Sequence, residues 1–383
     1  MAEQTADPPV EDAATQMSAL SYRIGFELAE LGPPGWFRLT ASFAMTVTAE
    51  SAVVVFADER GTSIRVFPAE DVLALVREHR RLSAQRDDEP WWRYLLELTS
   101  DGRMEVDYDY GADPFPDGQL FAAPAYRSDL EIYPRPTLPV WLAAYLGHGG
   151  RQVRSPRDAA EQARRDSVVG NKAIRSVPDQ DFPAFPLIAR RWAVLAAAFV
   201  AVGSPVGPRI SPGVCQFDGA QRSGATLCAL PGGRAVLSGG VWNARRLRDS
   251  YQDGAPLPDL YAGAPAWVAE PVLNGRAADG LLSFCYWWDD GAWHRGDSPV
   301  SDELAPAVPA IWTAQTVIDV VADVVGATGD RLHAVAQLVA AAEKGEATRT
   351  TLTELFGEDA GFDIDSALFE LTMAGATGKD TSR

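Results

Sequence analysis

Lysine is almost missing from this chain. Only Lys172, Lys344 and Lys379 occur among 383 residues, against 31 arginines. That bias follows from a GC-rich bacterial coding sequence, so arginine abundance is not read here as selection for phosphate recognition. Positive charge is scarce overall: 34 Lys plus Arg face 52 Asp plus Glu, for a formal net charge of −18. Neutralising phosphates needs basic side chains, so nucleic acid is excluded as the expected partner. Anionic membrane surfaces are excluded for the same reason. The longest apolar run, Trp192 to Gly203, falls far short of the ~20 residues a bilayer requires.

Side chains that carry chemistry are equally sparse. The 3 cysteines, Cys215, Cys228 and Cys285, form no C-x-x-C pair and read as small apolar core residues in a reducing compartment. A hairpin bringing Cys215 to Cys228 is the minor alternative. The histidines His79, His148, His294 and His333 form no H-x-x-x-H or H-E-x-x-H pair. His79, among Arg77, Arg80 and Arg81, reads as a surface residue. His148 reads as the C-terminal residue of a helix, where its charge suits the dipole. No G-x-S-x-G elbow, P-loop or strand-anchored G-x-G-x-x-G occurs. A non-catalytic protein without cofactor or metal is the expectation.

Residues 1–17 read as a disordered lead-in. Met1 to Asp12 lacks the basic and apolar regions of a secretory leader, which points to the cytoplasm. A first α+β domain follows over 18–148. Ser18 to Leu31 is an amphipathic helix burying Ile24, Leu28 and Leu31, stopped by Gly32-Pro33-Pro34. Trp36 to Val47, Ala52 to Ala57 and Thr62 to Phe67 form a meander with a turn at Asp58-Glu59-Arg60-Gly61. Pro68 opens a helix to about Ser83. Tyr94 to Leu98 and Met104 to Tyr110 make a hairpin over Ser100-Asp101-Gly102. Period-two alternation sends Met104, Val106, Tyr108 and Tyr110 inward, and Glu105, Asp107 and Asp109 outward. Helices at Tyr126–Tyr133 and Leu138–Leu146 close the domain.

Segment 149–183 is a basic linker with at most one helix, Asp158 to Asp166. A second α+β domain occupies 184–327. It has a helix at Ile188–Val202 and strands at Val214–Phe217, Ala225–Leu230 and Arg234–Leu237. A helix at Val241–Asp249, a hairpin over Asp289-Asp290-Gly291-Ala292 and a helix at Ala310–Val325 follow. The order helix, meander, helix, hairpin, helix thus occurs twice, which suggests a diverged duplication. Residues 328–383 read as a helical C-terminal extension, with His333, Leu338 and Val339 on one helix face. Thr350 is expected to cap the next helix, and Asp363 or Asp365 the last.

The densest chemical signal is the stretch 87–118. It holds ten carboxylates (Asp87, Asp88, Glu89, Glu97, Asp101, Glu105, Asp107, Asp109, Asp113, Asp117) against Arg93 and Arg103. Trp91, Trp92, Tyr94, Tyr108, Tyr110 and Phe115 lie among them. One reading is a solvated polar face opposite an aromatic core. The sharper reading is a recognition surface for a basic partner, built from Asp101, Glu105, Asp107, Asp109, Asp113, Phe115 and Asp117. A calcium loop does not fit, because the D-x-D-x-D-G-x5-E spacing is absent.

Trp92 to Leu98, Asp101-Gly102, Val106-Asp107-Tyr108-Asp109-Tyr110 and Pro114-Phe115 resemble the YezG-like immunity proteins. Tyr126 to Leu130, Pro134 and Pro139-Val140-Trp141-Leu142 continue the likeness, which spans about 60–147. Members of that family are cytoplasmic antidotes encoded beside secreted polymorphic toxins, several of them nucleases. The resemblance implies non-catalytic binding and occlusion of a cognate, basic toxin. The chain is much longer than that family, and no second acid run follows Cys285 to Asp290. The alternatives are a chaperone or scaffold of a bacterial secretion system, and an enzyme with a dispersed site. The expected architecture is α+β: two related halves, each with helices on a twisted antiparallel sheet, plus the helical extension.

Overall fold

A computed structural model describes residues 13–87, 89–175, 182–219, 221–357 and 361–378. The chain divides after Leu146 into two units, and the α+β class holds for both.

The first unit opens with α1 (Ala13–Ala29), so residues 13–17 are helical rather than a lead-in; residues 1–12 lie outside the described residues. Strands β1 (Arg38–Met45), β2 (Glu50–Ala57) and β3 (Ser63–Val66) form the meander, and α2 (Glu70–Asp87) follows. Next come β4 (Arg93–Thr99), β5 (Met104–Asp109), α3 (Ala123–Ile132) and α4 (Val140–Gly147). The sheet is antiparallel with order β3-β2-β1-β4-β5. The hairpin β4–β5 therefore joins the first strand of the meander, not the last. Helices α1 and α2 cover one face, where Ile24, Leu28, Val72 and Val76 meet Leu39, Phe43, Val54, Phe56, Tyr94 and Leu96. Leu31, expected in that core, is exposed beyond the end of α1.

One carboxylate ties this unit together. Asp129 on α3 is fully buried. It accepts two hydrogen bonds from Arg80 Nη2 (2.9 and 2.7 Å), one from the Val47 amide (2.8 Å) and one from Trp92 Nε1 (3.0 Å). These donors come from α2, the β1–β2 turn and the residue before β4. A buried carboxylate is tolerated only when paired and fully hydrogen-bonded, and here both conditions are met. Arg135 adds a second buried cation, 3.6 Å over the Trp92 ring. Burial lowers its pKa to about 10.

The reading of His79 as a surface residue is overturned. Its ring is fully buried, with Trp91 Nε1 donating to Nδ1 at 3.1 Å and Tyr108 Oη 3.3 Å from Nε2. A donor aimed at Nδ1 requires that nitrogen to be unprotonated, so the imidazole is neutral. Desolvation lowers its pKa to about 4. Arg80 is likewise buried, while Arg77 and Arg81 stay exposed in ion pairs with Glu50, Glu70 and Glu78.

The second unit begins inside the presumed linker. Helix α5 (Pro156–Val169) is capped by the Ser155 hydroxyl and ended by Gly170 at φ 73°. The buried Asp166 accepts from the Gly263 amide at 2.8 Å, and Gln152 exchanges two hydrogen bonds with Leu282. β6 (Ile174–Arg175) adds a strand to the second sheet. Residues 149–175 are thus folded into the unit, and 176–181 lie outside the described residues. The remaining elements are α6 (Phe185–Ala201), β7 (Arg209–Ser211), β8 (Val214–Asp218), β9 (Gly224–Leu230) and β10 (Arg234–Gly240). α7 (Arg245–Gln252), β11 (Phe284–Asp289), β12 (Ala292–Arg295) and α8 (Ala314–Val325) follow. α9 (Asp330–Lys344), α10 (Arg349–Phe356) and α11 (Ile364–Met373) end the chain's described helices.

This sheet runs β6-β12-β11-β10-β9-β8-β7. Its hairpin joins the last strand of the meander, the reverse of the first unit. The two halves therefore do not share a strand order, and the duplication expectation falls. The sheet is covered on both faces. Leu227, Leu237, Tyr286 and Trp288 meet α6, α8, α9 and α11 on one side. Cys228, Val236, Cys285 and Trp287 meet Leu260, Tyr261, Val268 and Leu273 on the other. Two-sided burial explains the unbroken apolar run of β11. Cys215 and Cys228 sit in different layers, and all three thiols are buried and free. The C-terminal helical region is present as expected, and it packs on the α6 core. Thr348, rather than Thr350, caps α10, and Asp363 caps α11.

Two outcomes follow for stability. Asp129→Ala should strand the Arg80 guanidinium and cost about 3–5 kcal/mol in chemical denaturation. His79, whose folded pKa is depressed, confers stability that is complete above pH 6.5 and declines as pH falls toward about 4. The loss should be on the order of 3 kcal/mol, and His79→Gln should flatten that part of the stability–pH curve.

Candidate recognition surface

The uncovered face of the first sheet is the candidate site. Pairing fixes which residues share it. One rung carries Val55, Thr40, Glu97 and Glu105, and the next carries Val53, Ser42, Leu95 and Asp107. All of these but Val55, together with Ala41, Leu96 and Val106, line an open groove of about 520 Å³. Val53 and Leu95 flank the polar Thr40 and Ser42 of β1, and the β5 side is acidic. Sequence reading found the acids but not the groove. The signal was present in Ala52 to Ala57, where β-branched residues fall on both faces of one strand.

One end of this face is closed by the segment 111–121. Gln119 accepts from the Ser42 hydroxyl (2.8 Å) and Arg93 Nε (2.9 Å), and donates to the Ser42 carbonyl (3.0 Å). Behind it lies an aromatic cluster of Trp92, Phe115, Tyr126 and Trp141, with ring centroids 5.2–6.0 Å apart. Gly111, at φ 81°, lets the chain turn there; a Cβ would press to 3.1 Å from the Trp92 ring.

The predicted surface residues separate into groups. Phe115 is 4% exposed and belongs to the aromatic core, so it is no contact residue. Asp109 is half-buried, paired with Arg93 Nη1 at 2.8 Å and accepting from the Gly111 amide at 2.8 Å. It anchors the closing segment. Asp101 shapes the hairpin turn, accepting from the Thr99 hydroxyl, which lowers its carboxyl pKa. Glu105 is exposed and paired with Arg103, and Glu97 with Arg38. Glu97 and Glu105 stand directly opposite each other, a repulsive arrangement that the two arginines relieve. Asp107 is exposed and makes no ion pair among the described residues. Asp113 and Asp117 are exposed on the closing segment. Tyr110, expected inward, is 37% exposed. The strand ends at Asp109, because the Trp92 amide bonds the Asp109 carbonyl and breaks the alternation.

No cluster of three or more His, Cys, Asp or Glu able to hold a metal occurs among the described residues. No described helix is long and apolar enough to cross a membrane. No protein-family model matches the chain, and no curated protein matches it.

The division between Asp107 and Asp109 is testable. Asp109→Asn should weaken the Arg93 pair and cost about 1–2 kcal/mol. Asp107→Asn should stay within about 0.5 kcal/mol of wild type. Urea denaturation of both variants measures the difference.

Proposed function

We propose that the chain is an immunity protein that occludes a basic cognate toxin in the bacterial cytoplasm. The observation that carries this reading is the open sheet face, where Val53 and Leu95 flank Thr40 and Ser42 and the carboxylates of Glu97, Glu105 and Asp107 line one side. Apolar and polar groups beside a charged rim are the anatomy of a protein-binding patch. The acidic side favours a partner with basic residues; in a nuclease such residues hold phosphates, and the antidote's carboxylates take their place. The YezG-like likeness over 60–147 supports the same reading.

Rim charges act mainly on the rate of association. Their field is screened as the Debye length falls from ~10 Å at 0.1 M to ~3 Å at 1 M salt. The test uses the cognate toxin, to be sought among the products of the neighbouring genes. The double variant Glu105→Gln, Asp107→Asn should associate about tenfold more slowly at low salt and show a flatter salt dependence, with the fold intact. Leu95→Asp, within the groove, should instead raise the dissociation rate. Equal salt slopes for wild type and the double variant would make the acidic side an ordinary solvated face.

A further inference from the structure

A second, smaller recess lies in the second unit, away from anything used above. It encloses about 200 Å³ beside β8, β9 and β10 and is lined by Gln216, Phe217, Asp218, Thr226, Ser238 and Arg276, among others. At ~30 Å³ per water, it has room for about six or seven atoms of water size.

Arg276 is its unusual member. The side chain is half-buried, yet its guanidinium makes no hydrogen bond or ion pair among the described residues. Its donors are therefore open to an acceptor that enters the recess. The backbone beneath is arranged to receive this side chain. A Cβ on Gly224 would come 2.8 Å from Arg276 Nη2, and one on Gly240 would come 2.9 Å from its Cδ. Glycine at both positions lets the side chain lie directly on the strands.

The recess also has a negative pole. The same Gly224 Cβ position lies 3.2 Å from Asp218 Oδ1, so the guanidinium and the carboxylate flank one point without closing into a salt bridge. Asp218 and Asp279 are the acids whose charge Arg276 feels, while burial lowers its pKa. On the next rung of the sheet, the Thr226 and Ser238 hydroxyls are 3.4 Å apart. Ser238 donates to the Leu273 carbonyl at 2.6 Å, so the proton between the two hydroxyls is that of Thr226, which leaves the Thr226 oxygen an acceptor. A simple anion would suit Arg276 but be repelled by Asp218 and Asp279. A simple cation would meet the converse. A molecule carrying both charges a few ångströms apart suits both poles.

We propose that this recess binds a small zwitterion of the amino-acid class, its carboxylate on Arg276 and its ammonium on Asp218. Planar, paired donors make arginine the natural carboxylate receptor. The limited volume restricts the ligand to a short side chain.

Calorimetric titration of the full chain with glycine, L-alanine and L-serine tests this, with acetate and methylammonium as single-charge probes. At least one amino acid should bind saturably, about tenfold or more tighter than either probe. Arg276→Gln should abolish that binding. Asp218→Asn, at an exposed position that leaves the fold undisturbed, should erase the preference for the amino acid over acetate. Absence of saturable binding by all three amino acids would overturn the assignment. So would wild-type affinity and preference in Asp218→Asn, which decides the matter even where Arg276→Gln lowers stability.

Discussion

The buried Asp129 carboxylate is the constraint on which the first unit depends. Four hydrogen bonds from three separated segments converge on it. Each of those segments would otherwise present an unsatisfied polar group to the core: a turn amide, an indole N–H and a guanidinium. A hydrogen bond net of solvent is worth only ~1 kcal/mol, but an orphaned buried partner costs more. The network therefore acts less as glue than as a geometrical specification. It fixes where α3 sits, and α3 places Tyr126 against Trp92 and Phe115. Those rings hold segment 111–121 over one end of the sheet, and that coverage defines how much of the face stays open.

Local pattern made much of this fold legible. The meander, both hairpins and the major helices follow from alternation, turn residues and caps. What sequence did not show was pairing between distant elements. The hairpin β4–β5 joins β1, a choice that no residue pattern within the hairpin announces. The same gap explains the failed duplication. Two chains of elements in one order can form sheets in different orders, since order along the chain leaves the docking edge open. His79 and Arg80 misled for a related reason. Beside Arg77 and Arg81 they read as a solvated cluster, yet helical periodicity turns two of these four side chains inward, where Trp91 and Asp129 receive them.

The site was half legible. Alternation in Met104 to Tyr110 correctly turned Glu105 and Asp107 outward and Tyr108 inward. It could not distinguish an outward carboxylate that is free from one that is spoken for. Arg38, Arg93 and Arg103 reach Glu97, Asp109 and Glu105, and Arg38 comes from a strand that the acidic stretch does not contain. Counting charges within the stretch therefore overstated its field. Phe115 misled in the opposite direction: a phenylalanine between prolines in an irregular loop looked exposed, but three aromatic rings enclose it.

The two sheets also differ in what they leave available. In the second unit both faces are covered, and the consequence is visible in β11, where Phe284 to Trp288 are buried without alternation. Such a sheet offers only its ends and the recesses between loops, which is where Arg276 lies. In the first unit the helices take one face and a short segment closes part of the other. The residual groove keeps Val53 and Leu95 beside carboxylates instead of under a helix. Leaving apolar surface uncovered forgoes burial worth roughly 25 cal/mol per Å², and Asp107 beside it is exposed without an ion pair among the described residues. A partner that covers Val53 and Leu95 would recover the first term, and a basic residue on it would pair Asp107. Both gains arise in one and the same complex, and that coincidence supports reading this face, rather than the more highly charged hairpin turn, as the candidate recognition surface.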